Sequence, residues 1–244
     1  MPATRQDYND NAAPFLKWAG GKSQLLKQYQ EFLPDRERIG RYYEPFIGSA
    51  AVFFYLQPHE ATLCDINHKL IDVYRVVQQD VDGLIEALKV HKNEKDYFYQ
   101  VRAMRPEELT PVKQAARLIF LNKTCYNGLY RENSKGEFNV PFGRYKNPTI
   151  CDEDRLRTAS CILQRVKLKA ADFEKAVETA AAGDFIYFDP PYVPLNATSN
   201  FTSYNKFGFN YTDQERLAET FRQLDKRGCY VMLSNSSASI VRDL

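Results

Sequence analysis

The sequence predicts an α/β protein built on a mostly parallel sheet. Three observations predict it: short apolar runs rich in aromatic and β-branched residues recur along the chain, stretches with helical apolar spacing separate them, and an acidic residue closes three of the runs. Strands separated by helices are joined by crossovers rather than hairpins, which makes neighbours parallel. Sheets of this kind bind ligands at the carboxyl ends of their strands, where Glu44, Asp65 and Asp189 fall.

The elements follow in order. The loop "FLKWAGGK" leads into helical spacing over residues 23–33, stopped by Pro34, and then a short strand over 41–44. "PFIGSA" is a glycine-containing turn that opens an apolar helix over 50–56. "ATLCDIN" is a second strand ending at Asp65, and Leu70, Ile71, Tyr74 and Val77 give helical spacing over 68–79. Residues 81–165 interrupt the alternation with several helical patterns and a basic, aromatic stretch over 123–146. The alternation resumes with "RVKLKAADF" as a strand, 174–182 as a helix, "DFIYFD" as a strand, 212–226 as a helix and "CYVMLSN" as a strand.

With 244 residues, the chain is long enough for one large α/β domain or a smaller one carrying an insertion. No apolar run approaches the roughly 20 residues of a bilayer span. The N-terminal "MPATRQDYNDNAA" reads as a polar tail rather than a secretory signal, so the expected compartment is the cytoplasm. Five cysteines lack a C-x-x-C pair and there are three histidines, a composition that predicts free, buried thiols and no metal site. Net charge is only +2, but residues 123–146 set Lys123, Arg131, Lys135, Arg144 and Lys146 against Glu132 and Glu137 alone. This cationic stretch on a nearly neutral body predicts either an anion-facing patch or a solvated hairpin.

Three places carry chemistry. Asp65, at a strand end roughly twenty residues after the glycine turn, sits where nucleotide-binding sheets place a carboxylate for ribose hydroxyls. "AGGKS" resembles the end of a phosphate-binding loop but has Leu16 where that loop needs a glycine; paired glycines beside Lys22 still suit an anion such as a cofactor carboxylate. "DPPY" follows a buried strand. The exocyclic amine of a nucleobase is a poor nucleophile because its lone pair is delocalised into the ring. Hydrogen bonds from its two N–H groups to the Asp189 carboxylate and the Pro190 carbonyl would make the nitrogen more sp3-like, the prolines would keep the backbone rigid, and Tyr192 could stack on the base. The plainer reading is a strand ending in a Pro-Pro turn with a packed tyrosine.

Taken together, "FLKWAGGK" (15–22), "EPFIG" (44–48), "DIN" (65–67) and "DPPY" (189–192) resemble the ordered motifs of the Dam-type DNA adenine methyltransferases, the D12 class and its GATC-specific branch. "YNGLYR" (126–131) and "GEFNVPFGRY" (136–145) are similar to that family's DNA-reading hairpin, and the likeness covers nearly the whole chain from Pro14. It implies a Rossmann-like S-adenosylmethionine-dependent methyltransferase sheet with an inserted, mainly helical DNA-recognition subdomain bearing a β-hairpin. It further implies S-adenosyl-L-methionine as methyl donor and adenine N6 in double-stranded DNA as acceptor. Asp189, Pro190 and Tyr192 would be catalytic, and Trp18, Lys22, Phe46, Asp65, Phe173 and Asp189 would hold the cofactor. Lys17, Tyr126, Asn127, Leu129, Arg131, Pro141 and Arg144 would enter and read DNA. Asn200, within "NATSNFTSY" (196–204), would grip the backbone around the flipped adenine.

The implied organisation is a tail over 1–13, a catalytic α/β domain over 14–80 and 166–244, and the DNA-recognition insert over 81–165, in a protein expected to be monomeric and to need no metal or membrane. Two positions depart from the family pattern. Ala50 stands where many relatives have glycine, a change that suits a site needing only a small side chain. The family continues beyond "YVMLSN" with a closing strand pair, whereas this sequence stops at Leu244, so its C-terminal end is expected to be missing. Two other readings follow: a methyltransferase acting on RNA or a protein amide, and a DNA-binding chain impaired in catalysis. The five aromatics Tyr126, Tyr130, Phe138, Phe142 and Tyr145, interleaved with cations, suit insertion into a nucleic-acid groove and favour the DNA enzyme.

Overall fold

The computed structural model describes residues 9–193 and 209–244, which divide into two compact units. The first takes in the chain through Phe32, Gly48–Gln57 and Asn67–Leu168. Its opening segment is a 3-10 turn, Lys22–Gln24, followed by the single-turn helix α1 (Leu26–Tyr29). The longer helix expected over 23–33 does not form. No side chain caps either piece, α1 buries none of its residues, and Leu25 and Phe32 stay exposed, so nothing offsets the cost of helix nucleation.

Helix α2 (Ala51–Leu56) buries five of its six residues. Ala50, which precedes it, has φ 55° and ψ 35°. The departure from glycine is therefore not a matter of side-chain size: the left-handed backbone brings Cβ against the following carbonyl, at about 1–2 kcal/mol. Helix α3 (His68–Gln79) starts where Asn67 accepts from the N–H groups of Lys69 and Leu70, and it buries Leu70, Ile71, Val73, Tyr74, Val76 and Val77. α4 (Val81–Lys89), α5 (Lys95–Ala103), α6 (Pro111–Thr124) and α7 (Glu153–Leu163) complete this unit, with side-chain caps from Asp80, Thr110 and Asp152 starting α4, α6 and α7. α3 and α4 pack on α6 and α7, and α5 packs on α6.

After α6 the chain doubles back. Tyr126 N–H bonds to Pro141 O, Asn139 N–H to Arg131 O and Asn133 N–H to Glu137 O, yet only two isolated antiparallel bridges, Cys125–Phe142 and Glu132–Phe138, are formed. The expected β-hairpin is thus a looped one without regular strands, because Asn127 (φ 54°) and Gly128 (φ 62°) turn the first arm out of register. Alternation along the return arm puts Phe138 and Val140 into a core with Phe98, Val101, Phe120 and Leu121.

The second unit comprises Leu33–Ile47, Pro58–Ile66 and the chain from Lys169. Strands β1 (Tyr42–Glu44), β2 (Ala61–Asp65), β3 (Val166–Ala170, which begins in the first unit), β4 (Phe185–Phe188) and β5 (Tyr230–Leu233) form a parallel sheet in the order β3-β2-β1-β4-β5. β1 and β4 are buried at every position, as central strands of a parallel sheet are. Helix α8 (Phe173–Ala176) is four residues rather than the nine expected over 174–182. α9 (Tyr211–Lys226) opens on a reciprocal capping box between Asn210 and Asp213, and α10 (Ser239–Asp243) follows β5. Phe173, Ala176 and Val177 join Leu217 and Leu224 of α9 over Tyr43, Cys64, Ile186 and Phe188 of the strands.

The strand order reverses between β1 and β4, the position at which open parallel sheets leave a crevice at their carboxyl ends. At the opposite end, Arg41 donates to Asp184 through its backbone N–H (2.9 Å) and its Nη2 (2.8 Å), and Ala181 N–H adds a third bond at 2.9 Å. All five cysteines are free; Cys64, Cys125 and Cys229 are buried, whereas Cys161 is exposed rather than packed inside. Among the described residues, no helix is long and apolar enough to cross a membrane.

Candidate functional site

Three carboxylates are delivered by the strands of the second unit. Glu44 ends β1, Asp65 ends β2, and Asp189 follows β4. Glu44 is buried and accepts a 2.9 Å hydrogen bond from the Tyr42 hydroxyl. Burial, with Glu44 next and Asp189 contributing, holds the Tyr42 phenol well above its ordinary range, so it remains a donor. The sequence marked Glu44 as a strand-end acid, but its partnership with Tyr42 needed the fold.

Beyond Asp189 the backbone is fixed at several points. Pro190 is buried, while Tyr192 is 42% exposed and its hydroxyl is hydrogen-bonded to that of Ser234. Ser234 N–H donates to Phe188 O at 2.9 Å, extending the β4–β5 ladder by one residue. Gln214 of α9 and Asn235 after β5 hold the backbone on either side of Tyr192. Neither Gln214, Ser234 nor Asn235 was singled out in the sequence; a glutamine on the apolar side of α9 and the "SN" closing a strand were the available signals.

Phe46 and Phe173 stack with centroids 5.7 Å apart at 27°, and the Arg216 guanidinium lies 4.9 Å over the Phe173 ring. Arg216 is itself held by Asp172, Glu174 and Asp213, at 2.8–2.9 Å each. These partners, the Glu174 hydrogen bond foremost, raise its pKa further. Phe173 is buried and Phe46 half-buried, and Phe209 packs edge-on against Phe46 at 5.5 Å. The backbone of Asp65 is tied by Ala171 N–H to its carbonyl (3.1 Å).

The first unit gathers the other motif residues. Asn122, inside α6 and fully buried, accepts from Lys17 N–H (2.9 Å) and donates to Lys17 O (2.7 Å) and Gly128 O (2.9 Å). Gly128 must be glycine: a Cβ there would stand 2.6 Å from the Lys17 side chain. The Lys17 ammonium rests 3.6 Å over the Tyr145 ring. Trp18 packs so close to Gly48 that a Cβ on the latter would meet its Cδ1 at 2.9 Å, and its ring stacks on Tyr130 (5.4 Å, 20°). Tyr130 donates to Glu132, which also takes the Lys69 ammonium at 2.7 Å. Burial and this bond raise the Tyr130 pKa. Lys22 is only 4% exposed, and its Nζ donates to Gly20 O at 2.6 Å.

Of the loop residues the resemblance singles out, Tyr126 (52%), Asn127, Arg131, Pro141 and Arg144 are exposed and Leu129 is half-buried. The aromatic pattern is therefore corrected: of five aromatics, Phe138 and Phe142 pack on the helices, Tyr130 backs Trp18 and Tyr145 backs Lys17, leaving Tyr126 alone exposed. Arg131 is oriented by Asn139, which accepts from its Nε at 2.7 Å. Lys123 is largely desolvated; burial, then the nearby Arg155 and Lys17, lowers its pKa to about 8. Asn200 lies outside the described residues. Among the described residues, no cluster of His, Cys, Asp or Glu could hold a metal ion.

Comparison with known proteins places the chain in a family. A family model described as D12 class N6 adenine-specific DNA methyltransferase matches residues 18–244. The type II methyltransferase M.MjaIII of Methanocaldococcus jannaschii is 52% identical over 91% of this chain and 84% of its own. M1.LlaDCHI of Lactococcus lactis subsp. cremoris, another type II methyltransferase, is 46% identical over 96% and 84%. A DNA adenine methylase of Serratia marcescens is 36% identical over 94% and 85%.

Proposed function

Because the chain belongs to the D12 class of N6 adenine-specific DNA methyltransferases, we propose that it methylates adenine N6 within GATC in duplex DNA, flipping the target base out of the helix. S-adenosylmethionine, on which this class depends, supplies the activated methyl group. Taken singly, the residues suit its parts chemically: Asp65 is a strand-end carboxylate of the kind that takes ribose hydroxyls, Phe46 is an aromatic ring of the kind that packs on adenine, and Lys22 is a cation of the kind that takes a carboxylate.

The observation that carries the reading is the strand-end Asp189 joined to the buried Pro190, with Tyr192 standing exposed beside them. Asp189 and the Pro190 carbonyl accept the two N–H bonds of the adenine amine, localising its lone pair, and Tyr192 stacks on the base. An adenine inside a duplex cannot reach this loop, and flipping it costs a few kcal/mol. Tyr126, the exposed aromatic of the loop that follows α6, is suited to fill the opened step. Arg131, its guanidinium pre-oriented by Asn139, matches the O6 and N7 acceptors of guanine. Residues 81–165 then form the DNA-reading insert between the catalytic segments 14–80 and 166–244, with Lys17, Asn127, Leu129, Pro141 and Arg144 contributing to the DNA surface and Asn200 to the grip on the flipped strand.

Incubating the protein with labelled S-adenosylmethionine and plasmid, then hydrolysing to nucleosides and digesting with nucleases that differ in their response to GATC methylation, tests this. N6-methyladenine confined to GATC is expected. Label entering RNA or protein instead, or adenines methylated outside GATC, would overturn the acceptor or the specificity.

A further inference from the structure

Between Pro191 and Val193 runs a closed chain of hydrogen bonds. Val193 N–H donates to Asn235 Oδ1 (3.4 Å), Asn235 Nδ2 donates to Gln214 Oε1 (3.1 Å), and Gln214 Nε2 donates to Pro191 O (3.4 Å). Its direction is set by its ends. A backbone N–H can only donate and a carbonyl can only accept, so Asn235 must turn its oxygen to Val193, Gln214 must turn its oxygen to Asn235, and its NH2 is left for Pro191. Asn235 Oδ1 also accepts from Ser236 N–H at 2.8 Å, which fixes the same orientation from a second backbone group. Gln214 is 6% exposed, so neither amide can flip without leaving a buried polar group unpaired.

We infer that Gln214 and Asn235 are positioning residues for methyl transfer: they grip the backbone on both sides of Tyr192 and so fix where the Pro190 carbonyl and the Tyr192 ring stand. The inference rests on the reading of Asp189 and Pro190 as acceptors of the target amine. The Phe188 carbonyl is tied to Ser234 N–H before Asp189, and the Pro191 carbonyl is tied to Gln214 after Pro190, so the acceptor pair lies between two anchored points. Proline limits φ but leaves ψ free, and the amide chain supplies the restraint that the two prolines lack. A displacement of about 1 Å at a reacting centre costs on the order of 100-fold in rate, which makes such a restraint kinetically visible.

Two variants test it. Gln214→Met keeps volume and removes both amide contacts. Asn235→Asp keeps the acceptor for Val193 and Ser236 but, when ionised, cannot donate to Gln214, which reverses the amide and sets two oxygens against each other at Pro191. Single-turnover transfer to a duplex is measured beside the Kd for S-adenosylmethionine, the Kd for DNA and thermal melting. The expected result is a roughly 10–100-fold slower transfer in both folded variants with each Kd within about threefold of the parent. Protonating the new carboxyl restores the donor, so the Asn235→Asp rate relative to the parent recovers as pH falls toward about 5 and below. Folded variants that transfer within threefold of the parent, or an Asn235→Asp ratio that does not change with pH, would overturn the inference; should Gln214→Met not fold, Asn235→Asp decides. If Asp189→Ala also transfers normally, the reading of the site has failed rather than the positioning role alone.

Discussion

Asn122 is the residue whose removal should loosen most of the first unit's motif residues at once. Its side chain makes three hydrogen bonds, two to the Lys17 backbone and one to Gly128 O, from a fully buried position. Asn122→Leu keeps similar bulk and removes all three. At about 1 kcal/mol net for each bond, the loss is about 3 kcal/mol. In a chain of this size that lowers Tm by roughly 6–12 °C. The functional effect should exceed the stability effect: Lys17 over Tyr145 and the turn at Asn127 and Gly128 are both referenced to this side chain. Thermal denaturation gives the first quantity. Duplex binding at a temperature where the variant is folded gives the second, with a tenfold or greater weakening expected. A Tm within about 2 °C of the parent, or unchanged duplex affinity, would refute the assignment of Asn122 as the organiser of this loop pair.

Ala50→Gly should stabilise the protein by about 0.5–1 kcal/mol in denaturant melts, because relief of the left-handed strain outweighs the entropy glycine adds to the unfolded chain; a destabilised variant would contradict the backbone explanation. Lys123, with a folded pKa of about 8 against an ordinary 10.5, disfavours folding while charged in both states, and stability should rise as pH climbs from 8 to 10.5, where the unfolded chain holds more protons. Lys123→Met should lack that rise and gain on the order of 1–3 kcal/mol near pH 7, as read from melts across pH. Asp65→Ala should weaken S-adenosylmethionine binding by roughly 1.5–3 kcal/mol in calorimetry, the value of hydrogen bonds to a charged group; unchanged affinity would remove Asp65 from the pocket.

What was legible in the sequence is what periodicity and strand-end chemistry encode. The bounds of α3 follow from the spacing of Leu70, Ile71, Tyr74 and Val77, and the three strand-end acids follow from apolar runs broken by a charge. Pairings across long separations were not legible. Arg41 and Asp184 are 143 residues apart, Lys17 and Asn122 are 105 apart, and nothing local marks either pair. The aromatic stretch misled for a related reason: interleaving with cations looks alike whether a ring faces a groove or a neighbouring helix, and α5 and α6 claim Phe138 and Phe142. Helix propensity overstated 23–33 and 174–182, where too little apolar surface is buried to hold more than a turn.

The central claim is that Asp189 activates the adenine amine, and it is tested most directly by methyl transfer from labelled S-adenosylmethionine to a GATC duplex by Asp189→Ala, with duplex binding measured on the same preparation. Removing one preorganised acceptor costs about 3–4 kcal/mol in the barrier, so turnover should fall at least about 100-fold. Duplex affinity should stay within a few fold, since the reading loop belongs to a separate stretch of chain and keeps its own core of Phe98, Phe120 and Phe138. Near-normal turnover by a folded Asp189→Ala protein would contradict the account.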